Sequence, residues 1–231
     1  RESKMAALQP QALLVVTDTT QGMEFGIDAH VWTLGAKFEG LHSISAGLHL
    51  LTFAPGGVAG REGVWIDCVG GGVHRQRWDV RNECLCTNVL TDAQQNSLEA
   101  AARAGALTLA PYPPNHARVW AAVASSIDVA TLRRCNLRLD EAFGPGGIDG
   151  ERGEREPRWT PVDRDAMRRR RGDVDATSFH GPDASLRLAA TAAPSMLMKE
   201  LALAFVVFLS LGSLEALKQW QRLVRLFCAC D

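Results

Sequence analysis

Gln21-Gly22-Met23-Glu24-Phe25-Gly26-Ile27-Asp28, followed by Val31-Trp32, Gly35, Lys37-Phe38, Gly40 and Gly47-Leu48-His49, sets the grammar for the first half of this chain. Short apolar stretches alternate with glycine, and the same spelling continues on both sides, in Leu13-Leu14-Val15-Val16, Leu48 to Phe53, Val64-Trp65-Ile66 and Val73 to Trp78. Segments of this length between turn residues predict a mostly antiparallel β unit. The Ala54-Pro55-Gly56-Gly57 and Gly70-Gly71-Gly72 clusters are expected as hairpin connections. Gly22, Gly26 and Gly47 fit turns or close backbone approaches, where a Cβ is not tolerated. Phe25, Trp32 and Phe38 have the size to fill the centre of a small β core. Glu24 and Asp28, beside turns, are placed to accept amide hydrogen bonds or to face a partner.

Helices follow the strands. Thr91-Asp92-Ala93-Gln94 reads as a capping box opening an alanine-rich helix to about Ala104. Pro111-Tyr112-Pro113-Pro114 stiffens a connection and puts proline at the start of a second helix, which places Val119, Trp120 and Val123 at helical spacing. Asp128 is suited to cap a third, short helix ending near Arg134. From Gly144 to Pro194 the apolar periodicity is lost, and residues 151–171 carry eight arginines and five acids. Such a stretch buries too little to offset its ordering entropy, so 144–194 is expected to be a disordered arginine-rich linker. Beyond it, Ser195 is placed to cap a helix through Leu209, and Gly212-Ser213 to break it and cap the next. Leu214, Leu217, Trp220, Leu223, Val224 and Phe227 form the stripe of that last helix. The domains expected are 5–143, a β-sandwich-like unit with appended helices; the linker 144–194; and 195–231, the start of a helical domain. Two helices this apolar need further helices or a partner to cover them.

The whole chain has 231 residues, 46% hydrophobic and 22% charged, with a net charge of −1. That composition describes a globular protein with a real core and no chain-wide positive field to hold nucleic acid or an anionic membrane. The longest apolar run, Leu201 to Leu211, is short of the roughly 20 residues a bilayer span needs, so it reads as a buried helix. Six cysteines and no apolar N-terminal leader point to a reducing compartment. Met5 reads as the natural start, and the helical pattern that runs straight to Asp231 reads as a truncation.

Candidate chemistry is sparse. Cys84/Cys86 and Cys228/Cys230 lack the Cys-x2–4-Cys or His-x3–5-His spacing of structural zinc. Asp28, His30, His42 and His49 could meet around a mononuclear metal, with His42 and His49 on successive strands, yet the outer face of an antiparallel sheet produces the same pattern. No nucleophile elbow, zincin motif, Walker loop or dinucleotide fingerprint occurs. Arg168 to Arg171 is a compact basic cluster that could serve as a nuclear localisation signal or a weak phosphate contact, but Asp163, Asp165, Asp173 and Asp175 flank it and neutralise much of its field, so it reads as a solvated linker stretch. Catalytic, cofactor and metal residues are therefore expected to be none.

The opening stretch, with Trp32, Lys37-Phe38-Glu39-Gly40 and Gly47-Leu48-His49 at their present spacing, closely resembles the N-terminal signature of the AAR-two splicing factor family, also called a1-cistron splicing factors. Ala110-Pro111-Tyr112-Pro113 with Trp120 resembles a second block of that family. Leu201 to Leu209, Gly212, Glu215-Ala216 and Trp220-Gln221-Arg222-Leu223 resemble the opening helix pair of its C-terminal domain, and Arg158-Trp159-Thr160-Pro161 echoes a step in its linker. The resemblance implies an α+β multidomain fold, with an N-terminal β-sandwich-like domain and a VHS-like helical domain, here incomplete. It implies a nuclear, non-enzymatic assembly factor for the U5 small nuclear ribonucleoprotein, present also in the cytoplasm during particle assembly. Such a factor binds the RNase H-like and Jab/MPN domains of pre-mRNA-processing factor eight and delays loading of the Brr-two helicase. It needs no cofactor, nucleic acid, membrane or small-molecule substrate. The residues that carry the signature, structural or partner-binding, are Gly22, Glu24, Phe25, Gly26, Asp28, Trp32, Lys37, Phe38, Gly47, Tyr112 and Trp220. The readings that compete with it are a divergent metal-dependent enzyme using Asp28, His42 or His49, and a truncated fragment without activity.

Overall fold

A computed structural model describes residues 11–28, 30–54, 60–82, 84–87, 90–144, 156–160 and 194–228. Its strands are β1 Ala12–Thr17, β2 Glu24–Ile27, β3 His30–Thr33, β4 Gly40–Ile44, β5 Leu48–Ala54, β6 Glu62–Asp67, β7 Gly72–Asp79, β8 Cys84–Thr87, β9 Leu109–Pro111 and β10 Ala142–Phe143. The helices are α1 Asp92–Arg103, α2 Pro114–Ala124, α3 Val129–Arg134, α4 Pro194–Leu211 and α5 Leu214–Cys228. Two five-stranded sheets form, ordered β8-β7-β1-β4-β9 and β10-β6-β5-β2-β3. Only the β1/β7 and β4/β9 pairings are parallel among those described. With the helices at the C-terminal end, the class is α+β, as the sequence predicts.

The two sheets face each other across a core that includes Leu14 and Val16 of β1, Phe25 and Ile27 of β2, Leu51 and Phe53 of β5, Val64 and Ile66 of β6, and Trp78 of β7. Alternate residues do this work, since successive strand side chains point to opposite faces. The second sheet is also covered behind. Leu50 and Trp65 share a second cluster with Trp120 and Ala124 of α2, Leu132 of α3, and Leu203, Val206 and Val207 of α4. Burial on both faces explains why Leu50, Leu51 and Phe53 of β5 show no alternation of apolar and polar residues, and why even His49 and Thr52 on this strand are buried. By length and composition α4 could cross a membrane. In this fold its Leu203, Ala204, Val206 and Val207 are buried against the sheet, α2 and α3. The helix pair and the sandwich thus share one apolar cluster, which covers part of the surface that the sequence left to further helices or a partner.

Local signals place most elements. Thr91 and Gln94 form the capping box of α1, Pro114 is the first residue of α2, and Asp128 caps α3. Gly212 separates α4 from α5, and the Ser213 hydroxyl accepts the Ala216 N–H. Three expectations need correction. Gly70-Gly71-Gly72 is no hairpin turn, because β6 and β7 lie in different sheets and these glycines carry the chain across the sandwich. Helix α4 begins at Pro194, which puts Ser195 inside its first turn. The most buried residues of α5 are Ala216, Gln219, Leu223 and Leu226, so of the expected stripe Leu223 is buried, Leu217, Trp220, Val224 and Phe227 are half-buried beside that face, and Leu214 is exposed. Strands β5 and β6 do form a hairpin, although residues 55–59 lie outside the described residues, as do Arg168 to Arg171 and Cys230.

Candidate functional site

The opening motif folds into the β2–β3 hairpin, and each of its residue types meets a local demand. Phe25 is buried and packs edge-on against Trp32, with ring centroids 5.4 Å apart, and tilted against Phe38 at 5.2 Å. A Cβ at Gly26 would stand 2.5 Å from Thr52 Oγ1 and 2.8 Å from the His30 carbonyl oxygen, so the strand closes only around glycine. Asp28 takes the hairpin turn with φ 56, a left-handed conformation that aspartate tolerates better than most residues.

That conformation turns the Asp28 carboxylate inward. Oδ1 accepts the Leu50 N–H at 3.0 Å, and Oδ2 accepts both His49 Nδ1–H at 2.5 Å and the Tyr112 hydroxyl at 2.6 Å. The Asp28 N–H donates to the Leu50 carbonyl at 2.9 Å. On the other side of the ring, His49 Nε2–H donates to the Ser45 carbonyl at 2.9 Å. Both ring nitrogens therefore face acceptors, which is the arrangement of an imidazolium. Burial works against that charge, but the hydrogen bond and charge of Asp28 outweigh it, and the His49 pKa is raised above its ordinary value. Burial, then the same carboxylate, also raises the Tyr112 hydroxyl pKa, so this residue stays a donor. The Trp120 ring stacks over His49 with centroids 6.4 Å apart, and its Nε1–H donates to the Leu48 carbonyl at 2.8 Å.

The result is a buried polar knot joining the β2–β3 hairpin, β5, the segment after β9, and α2. A buried charge is tolerated only when paired and hydrogen-bonded, and here each partner is supplied by a different element. It therefore reports on correct assembly of the sandwich. Its chemistry is closed. Ser45 Oγ lies 3.5 Å from His49 Nε2, which outlines an aspartate-histidine-serine series. The imidazolium has no free lone pair to take a serine proton, however, and its Nε2–H is committed to a carbonyl. The metal reading fails on placement: His42 lies in the opposite sheet with Nδ1 against Ser43 Oγ, and the Asp28 oxygens are already occupied. Among the described residues, no three His, Cys, Asp or Glu side chains are grouped to hold a metal ion. A surface cavity of about 640 Å³ lies elsewhere, where β8 and β10 meet, and includes Asp79, Cys84, Cys86 and Asp140 in its lining.

The signature residues thus divide. Phe25, Trp32 and Phe38 form one aromatic cluster, and Asp28 and Tyr112 meet in the knot. Gly22 and Gly47 hold positive φ in turns. Glu24 pairs with Arg61 at 3.0 Å at the solvent-facing edge, and Lys37 is exposed. Trp220 is remote from the knot, on α5, where it is half-buried against Phe205 at 5.8 Å. The sequence offers His49 as a metal candidate and within the Gly47-Leu48-His49 step of the resemblance, but does not connect it to Tyr112; the available signal is its place on a mostly apolar strand. A second buried polar group, Glu200, stands directly before the apolar run Leu201 to Leu211, and nothing local in the sequence marks it as buried.

The AAR2 N-terminal domain family matches residues 10–137, a span that contains the aromatic cluster and the whole knot, and the AAR2 C-terminal repeat region matches 167–231. The chain is 26% identical over 129 residues to the Protein AAR2 homolog of Homo sapiens, with 53% of this chain and 34% of that protein covered. It is 27% identical to that of Mus musculus over 129 residues with the same coverage. It is 28% identical over 123 residues to that of Caenorhabditis elegans, again covering 53% and 34%. The aligned part spans about a third of the length of these relatives, and none of their names denotes an enzyme.

Proposed function

This chain belongs to the AAR2 family, and from that premise we propose that it acts as a non-enzymatic splicing factor in assembly of the U5 small nuclear ribonucleoprotein. In this reading it binds pre-mRNA-processing factor eight through the RNase H-like and Jab/MPN domains of that protein, in the nucleus and during earlier cytoplasmic assembly. Its occupancy delays loading of the Brr-two helicase. The observation that carries the proposal is the family match over residues 10–137, a span that contains the aromatic cluster and the Asp28-His49-Tyr112 knot. The closed state of that knot supports a binding role over a catalytic one. Mechanism then consists of occupying a surface and leaving it, with no bond made or broken.

Calorimetric titration of the purified full chain with the isolated RNase H-like and Jab/MPN domains tests this. Saturable binding to at least one of the two is expected. No heat of binding to either domain, from a chain whose circular dichroism shows it folded, would overturn the proposal.

A further inference from the structure

Residues 156–160, inside the arginine-rich stretch, form neither helix nor strand and lie against α3, α4 and α5. Polar groups hold them. The Arg158 N–H donates to the Cys135 carbonyl at 2.8 Å, and Asn136 Nδ2 donates to the Glu156 carbonyl at 3.2 Å, so the segment satisfies groups at the C-terminal end of α3. Two residues on, the Thr160 N–H donates to Glu200 Oε1 at 2.8 Å and the Thr160 hydroxyl to Glu200 Oε2 at 2.6 Å. Gln219 Nε2 of α5 bridges the Thr160 carbonyl and Glu200 Oε1, both at 2.9 Å. The Trp159 side chain packs against the cluster shared by the sheet, α2 and α4.

Glu200 is completely buried, and its nearest cation, Arg134, stands 3.6 Å away on α3. A carboxylate in that position requires donors. Two of those it has come from Thr160, and the buried Gln219 amide also spends a donor on that residue's carbonyl. A buried carboxylate on an otherwise apolar helix face is poorly suited to packing alone and well suited to reading an N–H and a hydroxyl from a neighbouring segment. Beside it, Lys199 of α4 pairs with Asp128 at 2.5 Å; that contact and Thr131 hold the Asp128 carboxyl down to about 2, so α3 and α4 are also joined by charge.

We propose that the surface where α3, α4 and α5 meet is a binding site for a tryptophan-threonine segment, occupied in cis by Arg158-Trp159-Thr160, and that this segment is a displaceable latch coupling the helix pair to the sandwich. Glu200 and Gln219 read the threonine, the C-terminal end of α3 reads the backbone, and the aromatic side chain fills the apolar floor. The proposal does not depend on the splicing role.

Hydrogen exchange of the full chain, read by mass spectrometry, is the first test. The Arg158 and Thr160 amides are expected to exchange at least roughly tenfold more slowly than unprotected amides. Thr160→Val, which removes the hydroxyl and keeps the shape, is expected to speed exchange at both while β1 to β7 stay protected. The second test vacates the site with Trp159→Ala/Thr160→Val and adds a synthetic peptide of residues 156–161. That peptide is expected to bind the variant saturably and leave the wild-type chain unbound. Unprotected amides in the wild-type chain, or a folded variant that does not take up the peptide, would overturn the proposal. So would loss of the fold in the double variant, because the segment would then be an inseparable part of the core.

Discussion

Asp28→Asn tests the buried knot without disturbing its backbone, since asparagine tolerates the left-handed φ of 56 at this turn. The amide can still accept the Leu50 N–H through its oxygen, which leaves its NH2 facing His49 Nδ1–H and the Tyr112 hydroxyl. Two hydrogen bonds to a charged acceptor, each worth ~1.5–3 kcal/mol, are lost. Removing one partner of a buried ion pair costs ~3–5 kcal/mol, and about 3 kcal/mol is expected near pH 6, where the variant can escape part of the penalty by releasing the His49 proton. With a urea slope of about 2–3 kcal/mol/M, the unfolding midpoint falls by at least ~1 M. The pH dependence has a definite sign. The pKa of His49 is raised in the fold, so the pair contributes fully below the unfolded histidine value of about 6.5 and is lost as pH rises through the folded one. The gap between wild type and variant, followed by tryptophan fluorescence, is therefore widest near pH 6 and narrows by pH 9. Tyr112→Phe is expected to cost ~1.5–2 kcal/mol in the wild-type chain and close to nothing in the Asp28→Asn background. An equal gap at both pH values, or an unchanged cost of Tyr112→Phe in the two backgrounds, would refute the reasoning.

Other perturbations separate the packing contributions. Gly26→Ala puts a methyl 2.5 Å from Thr52 Oγ1 and against the β3 backbone, and is expected to lower stability by about 2–3 kcal/mol in urea unfolding. Trp120→Ala removes a nearly buried ring and its hydrogen bond to Leu48, at ~3–5 kcal/mol, whereas Trp220→Ala, half-buried against Phe205, is expected to cost about 1–2 kcal/mol. Burial pushes the Cys68 and Cys135 thiols up to about 12 and hides both from solvent, while Cys228 is exposed. Maleimide at neutral pH is expected to label Cys228 in the native chain and to reach Cys68 and Cys135 only after denaturation, as read by peptide mass spectrometry.

The strands, the caps of α1 and α3 and the aromatic core are legible in the sequence because each depends on neighbours: the apolar run of β1, Thr91 with Gln94, glycine beside Phe25. Sheet membership is not local. The apolar stretches identify β6 and β7 as strands, but not that Gly70-Gly71-Gly72 crosses from one sheet to the other, or that His42 and His49 end on opposite sheets. The knot was hidden for a related reason. Asp28, His49 and Tyr112 were each noticed, but their meeting depends on the left-handed turn at Asp28 and on the strand order. The latch lies deeper still, since residues 156–160 carry almost no apolar pattern and are held by Glu200 and Gln219, far along the chain. Trp159, a large aromatic in a charged stretch, was the one available signal.

Affinity capture of the tagged protein from its own cells, with identification of the proteins and RNA that accompany it, tests the assembly-factor role most directly. Recovery of pre-mRNA-processing factor eight with U5 RNA, and without the Brr-two helicase, is expected. Folded protein that captures neither the scaffold nor U5 RNA, or that captures the scaffold already loaded with the helicase, would contradict that role.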